Sequence, residues 1–187
     1  MSDLPTDESL MLAYQEGDAM AFDELYRRYR GSLYRYFLRQ CYQAAIAEEL
    51  FQDVWMKLIK ARKNYQVRAK FSTYLFHLAH NHLIDFYRKQ SGRLPLSYGE
   101  DSEVQELAGN DCDGPENRAV THEKVSRFLA LVTQLPEAQR EALMLREEGG
   151  LSVDEIAQAT NVNAETAKSR LRYAVNKLRN AMQEETG

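Results

Sequence analysis

Three histidines and five aromatic rings fall within nineteen residues of one stretch, FSTYLFHLAHNHLIDFYRK, from Phe71 to Lys89. Imidazole nitrogens bind zinc, and aromatic faces stack on unpaired bases, so the stretch could serve a metal site or a nucleic-acid surface. At ~100° per residue, His77 and His80 lie within ~60° of each other while His82 points ~140° away, so no third ligand is supplied locally and a metal site is not expected. His82 is expected in or at the edge of the core. The same projection separates an apolar arc (Phe71, Leu75, Phe76, Leu78, Ala79, Leu83, Phe86) from a polar and aromatic stripe (Tyr74, His77, Asn81, Asp85, Arg88).

Just before this stretch, KARKNYQVRAKF interleaves Lys60, Arg62, Lys63, Arg68 and Lys70 with Tyr65 and Phe71. Cations that hold phosphates beside rings that stack on bases are the chemistry of single-strand capture. A second basic cluster lies near the end of the chain, where Thr166 to Gln183 holds five Lys/Arg and no acid. There Ala167, Leu171, Ala174, Leu178 and Met182 share one helical stripe that should pack inward. Glu165, Ser169, Arg172, Tyr173 and Asn176 fall opposite, with Thr166, Lys168 and Arg179 on the flanks. A third feature is acidic. In AAIAEELFQDVWMKLIKAR, residues Leu50, Phe51, Val54, Trp55 and Leu58 form an apolar face and Glu48, Glu49, Gln52 and Asp53 a charged one. Acids within an otherwise basic region suit a protein partner better than DNA.

These residues require helices to position them, and helical spacing dominates the chain while no period-two run is flanked by turns. The reading is all-α. Helices are expected at about Leu10–Glu16, Met20–Cys41, Ala44–Lys63 and Ser72–Gln90, forming a bundle. The segment SGRLPLSYGEDSEVQELAGNDCDGPEN, rich in Gly, Ser, Pro and acid, has the composition of a linker. Domain limits are placed at 1–91, 92–120 and 121–187. Beyond the linker a helix from about Arg118 to Thr133 precedes Pro136, which suits the first turn of the next helix, and that one stops at Gly149-Gly150. Ser152 and Glu155 have capping-box spacing, and Asn163 is placed to cap the last helix. The result is a helix-turn-helix whose second helix carries the basic cluster, the geometry that enters a DNA major groove.

The 187 residues carry a net charge of -4, which hides a division: residues 20–90 hold 13 basic and 6 acidic groups, while 91–120 hold 2 and 7. Two cysteines, Cys41 and Cys112, lack C-x-x-C spacing, so neither a disulfide scaffold nor a zinc knuckle is suggested. No run approaches the ~20 apolar residues of a membrane span, and the acidic start MSDLPTDESLMLAYQEGD lacks the features of a signal peptide. A cytoplasmic protein with no direct membrane insertion is expected.

Taken in order, FDELYRRYRGSLYRYFLR, AEELFQDVWMKLIKAR and FSTYLFHLAHNHLIDFYRK resemble successive parts of domain 2 of the sigma-70 family of bacterial transcription initiation factors, in its extracytoplasmic-function (ECF) group. LPEAQREALMLREEGGLSVDEIAQATNVNAETAKSRLRYAVNKLR resembles domain 4. The resemblance implies two small helical domains and a sigma factor that directs promoter recognition and melting. Its partners would be the RNA polymerase core, promoter DNA and an anti-sigma factor, often membrane-bound. Glu49, Gln52 and Asp53 would dock on the polymerase. Arg68, Lys70, Phe71, Tyr74, His77, Asn81 and Arg88 would take the -10 element as single strand, and Thr166, Lys168, Ser169, Arg172 and Tyr173 would read the -35 element as duplex. The acidic linker would run through the polymerase's nucleic-acid channel. No cofactor, metal or catalytic residue is implied, since the polymerase is the enzyme. Tyr74 stands where the family commonly has tryptophan, and His80 and Tyr173 stand where arginine is frequent. From the residues alone, an autonomous helix-turn-helix regulator would look much the same in its DNA motif.

Overall fold

The computed structural model describes residues 4–91 and 125–184, all of whose regular elements are helical. The linker at 92–120, both edges assigned to it, and the start of the helix expected from Arg118 lie outside the described residues.

Thr6 starts α1 (Asp7–Gln15) by accepting the Ser9 N–H, with Asp7 and Glu8 complementing the positive end of the helix. The helix therefore begins three residues before Leu10, because the cap and not the first apolar residue sets the start. Asp18 caps α2 (Ala19–Cys41) through the Met20 and Ala21 N–H groups, and Tyr42 ends it in the left-handed conformation. After α3 (Ala44–Ala61) the chain tightens into a 3-10 turn at Arg62–Asn64, which shortens the helix expected to reach Lys63. α4 (Phe71–Ser91) follows.

The helical residues 125–133 form α5, followed by α6 (Glu137–Glu147), α7 (Val153–Thr160) and α8 (Ala164–Glu184). Pro136 is the N-cap of α6 and lies one residue outside the helix. The capping box on α7 is complete, with Ser152 Oγ accepting from Glu155 N at 3.2 Å and Glu155 Oε2 from Ser152 N at 2.8 Å. Asn163 Oδ1 accepts from Thr166 N at 2.7 Å and caps α8.

In the N-terminal helices the core is aromatic. Trp55 meets Phe22 edge-on at 5.7 Å and lies 5.1 Å from Tyr26, while Tyr36 packs edge-on to Phe76 at 5.5 Å. Such edge-to-face pairs contribute about 0.5–1.5 kcal/mol each beyond area burial. The C-terminal helices bury Ala167, Ala174 and Leu178 of α8 as the stripe requires; Met182, expected on that stripe, is exposed, because it lies in the last turns of α8.

The two groups of helices share one core. In α6 the run Ala142–Leu145 is buried on every side, which an ordinary surface helix is not. One side faces α8; the other is covered by α2, with His80 of α4 reaching Glu141 and α7 lying along α4. This packing sets the environment of the residues singled out above.

Candidate nucleic-acid interface

The loop before α4 is held by α1. Gln15 Nε2 donates to the carbonyls of Lys63 and Tyr65 at 3.0 and 3.1 Å, and Glu8 Oε1 accepts the Phe71 N–H at 2.6 Å, satisfying a donor at the start of α4. Arg68 is exposed, its guanidinium resting on Gln66 Oε1. Phe71 departs from expectation. Its ring is fully buried, edge-on to Tyr29 at 5.3 Å, and cannot reach a base; it anchors the loop instead.

Along α4 the polar stripe forms. Tyr74 is half-buried, edge-on to Tyr65 at 5.2 Å, and burial raises its phenol above the usual range. His77 Nδ1 lies 2.9 Å from the Ala159 carbonyl, which can only accept, so Nδ1 carries the proton. His77 Nε2 is then free to accept from the Asn81 amide at 3.0 Å. Arg88 is exposed and pairs loosely with Asp85 at 3.4 Å.

Tyr74, His77, Arg68 and Thr73 line one wall of a cleft of about 550 Å³, and Gln158 and Asn161 of the C-terminal helices line the other. Within that wall the buried Tyr65 hydroxyl and Thr73 Oγ1 have no hydrogen-bond partner among the described residues. Burial pushes the Tyr65 phenol up to about 12, so it stays protonated and available as a donor. Cation, rings and amide edges around one cleft make a surface suited to an unpaired base and its phosphate.

The three histidines of α4 reach three different elements. His77 contacts α7, and His80 Nδ1 lies 2.6 Å from Glu141 Oε1 on α6. His82 Nε2 contacts Asp53 Oδ2 on α3 at 3.0 Å, and Lys57 Nζ donates to its Nδ1 at 2.8 Å. Among the described residues no group of His, Cys, Asp or Glu could hold a metal ion.

On α8, Lys168, Arg172 and Tyr173 are exposed and Thr166 and Ser169 half-buried, with the Arg172 guanidinium over the Tyr173 ring at 5.2 Å. Glu49, Gln52 and Asp53 are exposed on α3 while Leu50, Val54, Trp55 and Leu58 of that helix are buried. The three groups thus lie on different helices, with Asp53 of α3 reaching His82 of α4.

A family model for sigma-70 region 2 matches residues 25–93, and one for sigma-70 region 4 matches 126–178. The chain is 30% identical over 181 residues to the RNA polymerase sigma-H factor of Pseudomonas aeruginosa, with 95% of this chain and 94% of that protein covered. It belongs to the sigma-70 family. Identity of 28% over 187 residues to the ECF RNA polymerase sigma-E factor of Escherichia coli (strain K12), covering 98% and 97% of the two chains, places it in the ECF group. The fold of this sigma factor is similar to that of CnrH in complex with the cytosolic domain of CnrY, with TM-score 0.68, 17% identity and 96% and 99% of the chains covered. It is also similar to RpoE in complex with the anti-sigma factor NepR from Bartonella quintana, with TM-score 0.65, 20% identity and 87% and 96% covered.

Sequence reasoning missed the residues that join region 4 of the sigma factor to region 2. Tyr36 of α2 donates to Glu141 Oε1 at 2.7 Å, the same oxygen that His80 meets. Burial first, and Glu141 next, hold the Tyr36 phenol well above its usual range. Arg35 pairs with Glu148 at 2.8 Å and Lys70 with Glu155 at 2.8 Å. The Arg140 guanidinium lies over the Tyr42 ring at 5.1 Å. The one available signal was Arg140-Glu141 directly preceding the apolar run Ala142–Leu145, a charged pair adjoining a segment too apolar for a surface helix.

Proposed function

We propose that this sigma factor directs RNA polymerase to promoters by capturing the -10 element as single strand on α4 and its preceding loop, and the -35 element as duplex on α8. The observation that supports this most is the division of α4. Phe71, Leu75, Phe76, Ala79 and Leu83 of its apolar arc are buried, while Tyr74 and His77 line the cleft with Arg68, and Asn81 hydrogen-bonds His77. Taking a base out of the duplex costs a few kcal/mol, which stacking worth roughly 1–3 kcal/mol per base and edge hydrogen bonds offset.

In this reading Thr166, Lys168, Ser169, Arg172 and Tyr173 enter the major groove, with the exposed Lys168 and Arg172 supplying phosphate and guanine contacts. Glu49, Gln52 and Asp53 dock on the polymerase core, and all three are exposed on α3. Phe71 serves as an anchor of the loop. The units are 1–91 for core and -10 binding, 92–120 as an acidic linker and 121–187 for -35 binding. The polymerase carries out the chemistry in the cytoplasm, and this chain contributes binding alone. No helix among the described residues is long and apolar enough to cross a membrane. An anti-sigma factor is a fitting restraint, because both similar folds cited above are held with partner chains, one of them named as an anti-sigma factor.

Run-off transcription with core polymerase and fragments of genomic DNA tests the reading. Discrete transcripts that require the chain are expected. Tight, specific duplex binding by the chain alone at physiological salt, with no effect on polymerase initiation, would sink it in favour of an autonomous regulator.

A further inference from the structure

We propose that His82 is a positioning residue of the polymerase-docking face: it stands between Lys57 and Asp53, orients the Asp53 carboxylate, and keeps that carboxylate from being neutralised by its own helix. The inference rests on the reading of Glu49, Gln52 and Asp53 as the docking face, and adds a residue of a different helix that acts on it.

Asp53 and Lys57 are four residues apart on α3, and an acid one turn before a lysine ordinarily pairs with it directly. Such a pair would set a cation on the one charge that the docking face presents at this point. The structure arranges the three groups otherwise. Lys57 Nζ donates to His82 Nδ1 at 2.8 Å, and His82 Nε2 donates to Asp53 Oδ2 at 3.0 Å. A lysine can only donate, so Nδ1 is the unprotonated nitrogen and Nε2 carries its hydrogen toward the carboxylate. The ring reaches across from α4 with its side chain 13% exposed, while that of Asp53 is 52% exposed. A ring held by packing thus fixes the rotamer of an exposed carboxylate that would otherwise lose freedom on docking.

Of the three histidines of α4, His77 and His80 contact α7 and α6, and His82 contacts α3. Its neutral form is what suits the task. Burial first, and Lys57 next, lower the imidazole pKa, so near neutral pH a dipole touches Asp53 and orients it without cancelling its charge. The charged groups acting on the ring are Lys57 and Asp53 of α3 and Asp85 of α4, which itself pairs with Arg88 at 3.4 Å.

Protonation reverses the arrangement. An imidazolium donates from both nitrogens, so Lys57 loses its acceptor, and the acid one turn back on its own helix is Asp53. His82 becomes a cation on the same carboxylate. Docking through Asp53 therefore weakens in acid.

The test titrates labelled full-length chain with RNA polymerase core, without DNA, for wild type, His82→Gln and His82→Leu, each also combined with Asp53→Ala. Glutamine can accept from Lys57 and donate to Asp53 but does not titrate; leucine fills the space and does neither. Circular dichroism at each pH shows that the chain is folded. Near pH ~8, His82→Leu should bind core about fivefold more weakly, with His82→Gln close to wild type. Within Asp53→Ala, His82→Leu should cost nothing further, because the group it acts through is gone. As pH falls from about 8 to about 5.5, wild type should lose affinity relative to His82→Gln. Equal losses from His82→Leu with and without Asp53→Ala would reduce His82 to a structural residue and overturn the proposal. So would a His82→Gln chain that follows the wild-type pH profile, and this comparison decides alone if His82→Leu does not fold. If Asp53→Ala by itself leaves core affinity unchanged, it is the reading of the docking face that falls.

Discussion

Lys70 and Glu155 lie 2.8 Å apart across the junction of the two regions, one on the loop that leads into α4 and the other in the first turn of α7. Glu155 divides its carboxylate, one oxygen closing the capping box on Ser152 and the other taking the lysine. A local helix-start signal thus doubles as a long-range tether.

The tether predicts a pH dependence. Lys70 foremost, and then the Ser152 N–H, hold the Glu155 carboxyl below its ordinary value. Its contribution is therefore complete above the unfolded carboxylate pKa of about 4.3 and is lost as pH falls through the lowered folded value. Chemical denaturation of wild type and Glu155→Gln should give midpoints that differ at neutral pH and converge in acid. A gap that stays constant down through pH ~3 would rule the pair out as the source.

Asn81→Ala should slow open-complex formation about tenfold, the cost of one base-edge hydrogen bond of roughly 1–1.5 kcal/mol, while leaving polymerase binding intact. Permanganate footprinting on a duplex promoter, beside the same promoter premelted at the -10 element, reads the effect. Unchanged melting on the duplex would reject the assignment.

Asp53→Arg should weaken association with the polymerase core at least about tenfold, because an exposed carboxylate on the docking face becomes a cation. Titration of labelled chain with core enzyme measures it. Wild-type affinity would remove Asp53 from the docking face.

His82 bridges Lys57 and Asp53, and the lysine's donation to Nδ1 leaves the proton on Nε2, facing the carboxylate. Burial first, and Lys57 next, lower the imidazole pKa. Stability linked to this group is complete above the unfolded histidine pKa of about 6.5 and falls as pH drops from there through the lowered folded value. In His82→Gln the amide can accept from Lys57 and donate to Asp53 without titrating, so that part of the pH dependence should disappear. Urea midpoints between about pH 5 and 8 check this, and identical profiles for the two chains would count against the bridge.

The sequence by itself determined the helices, their caps and the faces of each. Asp18, Ser152 and Asn163 act on N–H groups within three residues, and the stripes of α3, α4 and α8 follow from helical spacing, so both are written in short windows. It also separated Tyr74, His77 and Asn81 from the apolar arc of α4. What it left open was where a polar group would find its partner. Tyr36 meets Glu141 across 105 positions of chain and His80 meets it across 61, and nothing in the local pattern distinguishes that glutamate from a solvated one. Phe71 shows the same limit in reverse: its neighbours suggested a base-stacking ring, and packing against Tyr29 took it into the core. Local chemistry fixes helices because their hydrogen bonds span four residues; only the tertiary structure brings α6 and α7 over α4, because that contact depends on complementary groups far apart in the chain.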